Sequence, residues 1–288
     1  MLYNKNGCAF NHVFIGRMSL QRMTSTTFVS LSEVPALIKI AEEASREAGR
    51  YLLEHLGQAQ VQHRKAYKDD LLDVDLGSER IILSVLQREA PSIGVLSEEA
   101  GVLGRQDQYW TIDPVDGSAN FQHGSPSFGI AIALIANQET VGGVIYLPTR
   151  NEIFTTIRGQ GAYLNGEKIS VSQVATVENA LVHVGDLSSS RDPRVVEEGL
   201  KDFAAITAHV HRTRIVGSIV TELADVACGR ADALVSRTSN PWDIEAGKLL
   251  VREAGGKITT ITENRTKPLY LYSNGIIHDT FQNLFLEQ

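Results

Sequence analysis

Residues 110–121 read Trp110-Thr111-Ile112-Asp113-Pro114-Val115-Asp116-Gly117-Ser118-Ala119-Asn120-Phe121, and the rest of the chain is read outward from this run. Its apolar, β-prone start predicts a strand ending at Asp113. Pro114 fixes one backbone torsion and Gly117 permits an unusual one, which predicts a tight turn aiming Asp113 and Asp116 at one point. Carboxylates gathered this closely repel each other unless protons or cations neutralise them. Oxygen donors without His or Cys favour Mg²⁺, Mn²⁺ or Ca²⁺ over zinc. The amides of Gly117 and Ser118, where a turn or helix begins, form a ready anion site. Metal carboxylates beside such a site suit phosphoryl transfer. Taken alone, the run equally describes a capped turn whose aspartates accept backbone amides. An EF-hand loop fits poorly, because Pro114 stands where flexibility is needed and the twelfth position from Asp113 is Gly124.

Other acids stand at similar places. Glu98 and Glu99 follow a strand-like run at 93–96, and Asp243 opens a helix behind Pro241 and Trp242. Acids where strands end and loops begin are placed for a cleft at a sheet edge. Upstream, Leu37, Ala41, Ala44, Ala48, Leu52 and Leu56 recur at spacings of three and four, predicting a long helix with Ser32 as its N-cap. The polar stretch 58–70 reads as a hairpin or mobile loop, and 78–89 as a second helix with Ile81, Ile82, Val85 and Leu86 inward. Strands are expected at 93–96, 110–113, 129–135, 141–147 and 152–157, then again at 181–184, 233–236 and 257–261. Helices are expected at 195–203, 218–229 and 242–254. Alternating helices and strands point to a layered α/β protein. Its organisation is read as an extension at 1–32 and two packed α/β halves, 33–172 and 173–288.

Bulk properties exclude several classes. The 288 residues carry a formal net charge of -7, which argues against a nucleic-acid binder and against attachment to an anionic membrane surface. The longest apolar stretch, GIAIALIA at 129–136, has the length of a buried strand, well short of the ~20 residues that span a bilayer. Cys8 and Cys228 form no close pair, so a reducing, cytoplasmic location is expected. Residues 1–32 lack Asp and Glu and turn rich in Ser and Thr, a composition resembling a transit peptide. They are read instead as a disordered extension, or as sequence upstream of a start at Met18 or Met23.

Several separated segments resemble the inositol monophosphatase family. Leu96-Ser97-Glu98-Glu99 is similar to its L/I-G-E-E, residues 110–121 to its W-x-I-D-P-x-D-G-T-x-N-F, and Pro241-Trp242-Asp243 through Ala246-Gly247, with Glu253-Ala254-Gly255-Gly256, to its second signature. Gly159 to Gly166 and Gly217-Ser218 also match, and the likeness runs in order from about Glu33 to the C-terminus. The resemblance implies a five-layer α-β-α-β-α sandwich, commonly a homodimer and often inhibited by Li⁺. It implies hydrolysis of inositol monophosphate or a similar small polyol phosphate, through in-line attack by water activated by two or three Mg²⁺ ions, with Mn²⁺ as a substitute. Glu98, Asp113, the Val115 carbonyl, Asp116 and Asp243 match the metal ligands. Asp75 and the Ser118 hydroxyl match the groups that orient the water, with Glu98 also in the catalytic set. Asp116, Gly117, Ser118, Gly217, Ser218, Ser236, Arg237 and Asp243 fall on the substrate side. Ser118 stands where most relatives have Thr, and the loop lysine corresponds to Lys65 or Lys68.

Ser236 stands where inositol-specific relatives often have Glu, and with Arg237 it keeps fructose-1,6-bisphosphate, histidinol phosphate and a 3′-phosphonucleotide open as substrates. Ala119-Asn120-Phe121 sides with the inositol group against the nucleotide phosphatases. A regulatory or binding protein retaining the fold is the alternative of another class; its mark would be a degenerate metal site. His209 and His211, read as alternating on a strand, lack a third metal ligand. Gly159-x-Gly161 lacks the third glycine of a dinucleotide loop, and no G-x-S-x-G elbow occurs. Trp110 and Trp242 read as packing anchors, and Asp69, Asp70 and Asp73 as a solvated run.

Overall fold

The computed structural model describes residues 29–66, 69–185 and 190–286. Most of the expected N-terminal extension, Lys68 and the Lys65 side chain lie outside the described residues. The first helix, α1 (Val34–His55), buries Val34, Ile38, Ala41, Ala44, Ala48 and Leu52 along one face. Ser32 does not cap it. Glu33 holds the capping position, and its carboxylate turns back to accept the amide and hydroxyl of Ser30, both at 2.8 Å. Pro35 in the first turn needs no hydrogen-bond partner for a missing N–H, so the helix starts without a side-chain cap.

A hairpin follows, with β1 (Val61–Ala66) antiparallel to β2 (Asp69–Leu72). Its base is closed by the Gln60 amide on the Asp73 carboxylate at 2.8 Å and the Asp73 amide on the Gln60 carbonyl at 3.0 Å. Asp73 is therefore a structural acid and not part of a solvated run. It also begins α2 (Asp73–Glu89), which starts earlier than residue 78 and so takes Asp75 into its first turn.

Next come β3 (Gly94–Ser97), β4 (Gly101–Leu103), β5 (Gln108–Asp116), the short α3 (Ser118–Gln122), β6 (Gly129–Ala136), β7 (Glu139–Leu147), β8 (Glu152–Ile157), β9 (Gly161–Leu164) and β10 (Glu167–Lys168). The eight strands of the larger sheet run β10-β9-β8-β7-β6-β5-β3-β4. Within it β3 and β5 are parallel and the other neighbours antiparallel. β6 shows why GIAIALIA must be a strand covered on both faces. Ile130, Ile132 and Leu134 join the core beneath α1 and α2, while Ala131, Ala133 and Ile135 join a second core on the opposite face. Small residues on that second face admit a helix at close range, and Gly143 lies directly under Ala246.

The rest of the chain supplies β11 (Leu181–Val184), α4 (Pro193–His209), β12 (Arg212–Arg214), α5 (Ile219–Ala227), β13 (Ala233–Ser236), α6 (Pro241–Glu253), β14 (Lys257–Ile261), β15 (Leu269–Ser273) and α7 (His278–Leu286). The smaller sheet runs β12-β11-β13-β15-β14. His209 ends α4, and its Nδ1 meets the Ala205 carbonyl at 2.7 Å. His211 precedes β12, so the two histidines do not alternate on one strand.

Three cores define the layering. The first joins α1 and α2 to the larger sheet; the second places α5 and α6 between the two sheets. The third packs Ile206 of α4 and Phe281 and Phe285 of α7 on the outer face of the smaller sheet. The result is the α-β-α-β-α sandwich that the resemblance implies. Among the described residues no helix is long and apolar enough to cross a membrane.

α5 and α6 cross where Gly247 meets Leu223: a Cβ on Gly247 would lie 2.3 Å from Leu223 Cδ1 and 2.8 Å from its Cβ. Gly247→Val is expected to cost about 1–3 kcal/mol, the scale of overpacking a filled core, read from urea unfolding midpoints. A wild-type midpoint would show that this crossing is not tightly packed.

Candidate active site

β3 and β5 are parallel neighbours, with Ser97 opposite Ile112, so the residues that follow, Glu98 and Asp113, arrive side by side at the same sheet edge. The Glu98 amide donates to the Ile112 carbonyl at 3.1 Å, which extends the pairing one residue further. Beneath Glu98, the buried Glu79 of α2 accepts the Ser97 hydroxyl and, at 2.9 Å, the Ala100 amide. The sequence reading missed Glu79, although it lies four residues after Asp75 and therefore shares its helix face. β5 does not stop at Asp113. It continues to Asp116 through a register shift against β6 at Pro114-Val115, with the Val115 amide on the Asp113 carboxylate at 3.1 Å. Ser78 of α2 fixes the shifted segment by donating to the Pro114 carbonyl at 2.8 Å.

Asp243 lies in the first turn of α6, bonded at 3.1 Å by the side-chain amide of Asn240. Carboxylate oxygens of Glu98, Asp113 and Asp243 all lie within 4.8 Å of one another. Burial pushes the Asp113 carboxyl well above the usual range, and the charges of Glu98, Asp116 and Asp243 push it further. Asp116 is held differently. Burial raises it to about 6 against the opposing pull of the Ser218 hydroxyl and the amides of Val220 and Ile219. Its Oδ2 accepts the Ser218 hydroxyl and, at 3.1 Å, the Val220 amide, so it binds a first-turn amide of α5, whose N-cap is Ser218.

Gly117 of the expected anion site meets Gly217 of the substrate-side set. Gly117, with φ of 85°, precedes α3, and Gly217, with φ of 77°, precedes Ser218 at the start of α5. A Cβ on Gly117 would come within 3.1 Å of the Ser218 Cβ and 3.3 Å of the Gly217 carbonyl. Only a residue without a side chain allows both the positive φ and this approach. The Ser118 hydroxyl donates to the Val115 carbonyl at 3.0 Å. Asp75, buried at the start of α2, accepts the Leu72 amide at 2.8 Å.

The remaining substrate-side pair is split where β13 ends. In β13, Leu234 faces α5 and α6 whereas Ala233 and Val235 face the outer core, so Ser236 falls on the Leu234 side. Its hydroxyl accepts the Thr238 amide at 3.1 Å. Arg237 falls on the other side, where its guanidinium pairs with the buried Asp202 of α4. Arg265 shares the same carboxylate at 2.8 Å. The structure therefore gathers Glu98, Asp113, Asp116, Asp243, Gly117, Ser118, Gly217 and Ser218, and directs Arg237 elsewhere.

Such an arrangement, oxygen donors clustered at a sheet edge beside two helix N-termini, defines a metal-dependent hydrolase acting on phosphate esters. The comparisons narrow the class. Residues 33–287 match the inositol monophosphatase family. The chain is 39% identical over 223 residues to the Nus factor SuhB of Xylella fastidiosa, covering 77% of this chain and 80% of that protein. It is 34% identical over 238 residues to the fructose-1,6-bisphosphatase/inositol-1-monophosphatase of Thermotoga maritima, covering 81% and 90%. The crystal structure of extragenic suppressor protein suhB from Bartonella henselae superposes with a TM-score of 0.81 at 31% identity, over 87% of this chain and 98% of that one. The chain belongs to the inositol monophosphatase family, and it is a phosphomonoesterase of that metal-dependent family.

A pH signature follows from the two raised aspartates. Groups whose pKa is higher in the folded state than the ordinary 3.8 stabilise the metal-free fold below that value and lose the contribution as pH rises through the folded pKa. The Tm of EDTA-treated protein is therefore expected to fall as pH rises from about 4 through about 6, where Asp116 titrates, and onward to about 8, where the buried Glu222 of α5 does. Saturating Mg²⁺ is expected to raise Tm more at about pH 7.5 than at about pH 5, because ligands must be deprotonated to bind. A metal-free Tm that climbs across this range would contradict the clustering of these acids.

Proposed function

We propose that the enzyme hydrolyses inositol monophosphate or a similar small polyol monophosphate in a Mg²⁺-dependent reaction. The observation that carries this reading is the convergence of Glu98, Asp113 and Asp243 within 4.8 Å beside Asp116 and the N-termini of α3 and α5. Three carboxylates offering only oxygen suit a hard divalent cation, and their mutual repulsion at Asp113 is what such a cation relieves. Glu98, Asp113, the Val115 carbonyl, Asp116 and Asp243 are the proposed ligands. When bound, Mg²⁺ supplies a Lewis acid that polarises a phosphoryl oxygen and eases deprotonation of water.

The chain's own groups do the rest of the work. The Gly117 and Ser118 amides and the turn at Gly217-Ser218 receive the phosphate, and both lie at helix starts, where the dipoles favour an anion. Asp75 and the Ser118 hydroxyl orient the attacking water toward phosphorus, opposite the leaving alkoxide. Asp243, at the start of α6, also borders the space for the polyol. The pairing of Arg237 with Asp202 supports a monophosphate over a bisphosphate, since the guanidinium already carries a charged partner. The Thermotoga relative's name includes fructose-1,6-bisphosphatase, so that substrate is the informative competitor. A homodimer in a reducing cytoplasm completes this reading; the family resemblance supports the first part and the two-cysteine composition the second.

The test is phosphate release from inositol-1-phosphate, fructose-1,6-bisphosphate, histidinol phosphate and a 3′-phosphonucleotide, each with Mg²⁺ and with EDTA. Turnover should be fastest on the inositol ester and stop with EDTA. Asp113→Asn and Asp243→Asn should each lower kcat/KM on the order of 10²–10³-fold, the scale of losing one strong transition-state contact. Full activity in either variant would sink the ligand assignment, and preference for the bisphosphate would sink the monophosphate reading.

A further inference from the structure

The peptide turn at Val216-Gly217 is gripped from two sides by residues with no part in the chemistry above. From the N-terminal half, the side-chain amide of Asn120 on α3 donates to the Val216 carbonyl at 2.9 Å and the Gly217 carbonyl at 3.2 Å, and also to the Ser127 carbonyl at 2.7 Å. From behind, Glu222 of α5 accepts the Val216 amide at 3.0 Å. Glu222 is 1% exposed, a carboxyl carried into the core with no cationic side chain bonded to it among the described residues. Burial pushes it up to about 8, and the nearby charges of Asp116 and Asp225 act in the same direction against the pull of the Val216 and Gly217 amides. A buried carboxyl is costly unless its hydrogen bonds repay the loss of water, so its place here calls for a task.

Geometry points to one. Gly217 adopts a positive φ, which leaves the orientation of its two flanking peptides weakly determined by the chain itself. Rotation of either peptide would move Ser218 off Asp116 and turn the first amides of α5 away from the anion site. Asn120 holds the carbonyls of this turn, and Glu222 holds its leading amide. We propose that Asn120 and Glu222 are positioning residues that lock the Gly217-Ser218 turn in its phosphate-receiving orientation, coupling the two halves of the site. This rests on the phosphatase reading only in naming phosphate as the anion.

The experiment measures binding of inorganic phosphate by calorimetry, with Mg²⁺ present, to the full chain and to Asn120→Ala, Glu222→Leu and Glu222→Gln. Loss of one hydrogen-bonded positioning contact is expected to weaken phosphate about tenfold in Asn120→Ala and in Glu222→Leu. Glu222→Gln, which keeps an acceptor oxygen, is expected to recover most of that loss, a rescue that a purely structural role would not give. Asn120 is partly exposed, so its variant keeps the test open if Glu222→Leu fails to fold. Wild-type affinity in folded Asn120→Ala, or equal losses in the Gln and Leu variants, would overturn the proposal, as would a wild-type chain that binds no phosphate. Phosphate binding that weakens as expected, in a protein that hydrolyses no ester, would support this inference while refuting the hydrolysis.

Discussion

Electrostatic repulsion within the acidic cluster is the constraint around which the molecule is built. Glu98, Asp113 and Asp243 place oxygens within 4.8 Å of one another, an arrangement that would drift apart in a flexible scaffold. Each is instead anchored on a stiff element. Glu98 and Asp113 ride on paired parallel strands, braced from below by Glu79 and Ser78. Asp243 starts a helix pressed onto its neighbour at Gly247. The cluster is destabilising without a cation, and that stored repulsion is what makes a cation bind.

The central layer explains how two sheets serve one site. α5 and α6 lie between them, and both present N-terminal ends to the acids: α5 through the amide of Val220 on Asp116, α6 through Asp243 in its own first turn. The positive ends of two helices partly offset the clustered negative charge and remain available to an anion. Close approach is purchased by small residues, with Ala131 and Ala133 under the layer and Gly117 against Ser218 at its tip. A larger side chain at either contact would separate halves that must touch.

What the sequence made legible was what local pattern controls. The alternation hidden in 129–136, the helical face of 34–52 and the spacing of Asp113, Asp116 and Gly117 are all written in adjacent residues. The failures have a common cause. Asp73 pairs with Gln60 across a hairpin, Glu79 reaches a loop on another element, and Glu222 serves the turn ahead of its own helix. β15 and α7 escaped notice, and the strand read at His209 and His211 lies instead just after them, as the three-residue β12. Ser32 looked like a cap because it has the right side chain; Glu33 took the position because Pro35 already settles the first turn.

Arg237 shows most plainly how side choice decides function. Next to Ser236 in sequence, it looks like a natural partner for a second phosphate. Just past the end of β13, it turns instead to the outer layer, where Asp202 already has Arg265. Two guanidiniums share one buried carboxylate there, and Arg265 also donates to the Phe285 carbonyl and lies over its ring. A phosphate at Ser236 would still have to draw the side chain away from an opposite charge at hydrogen-bond range, and the low dielectric around Asp202 makes that exchange unfavourable. The proposed preference for a single phosphate would then come from an ion pair on the far side of the sheet, which withholds a charge from the cleft.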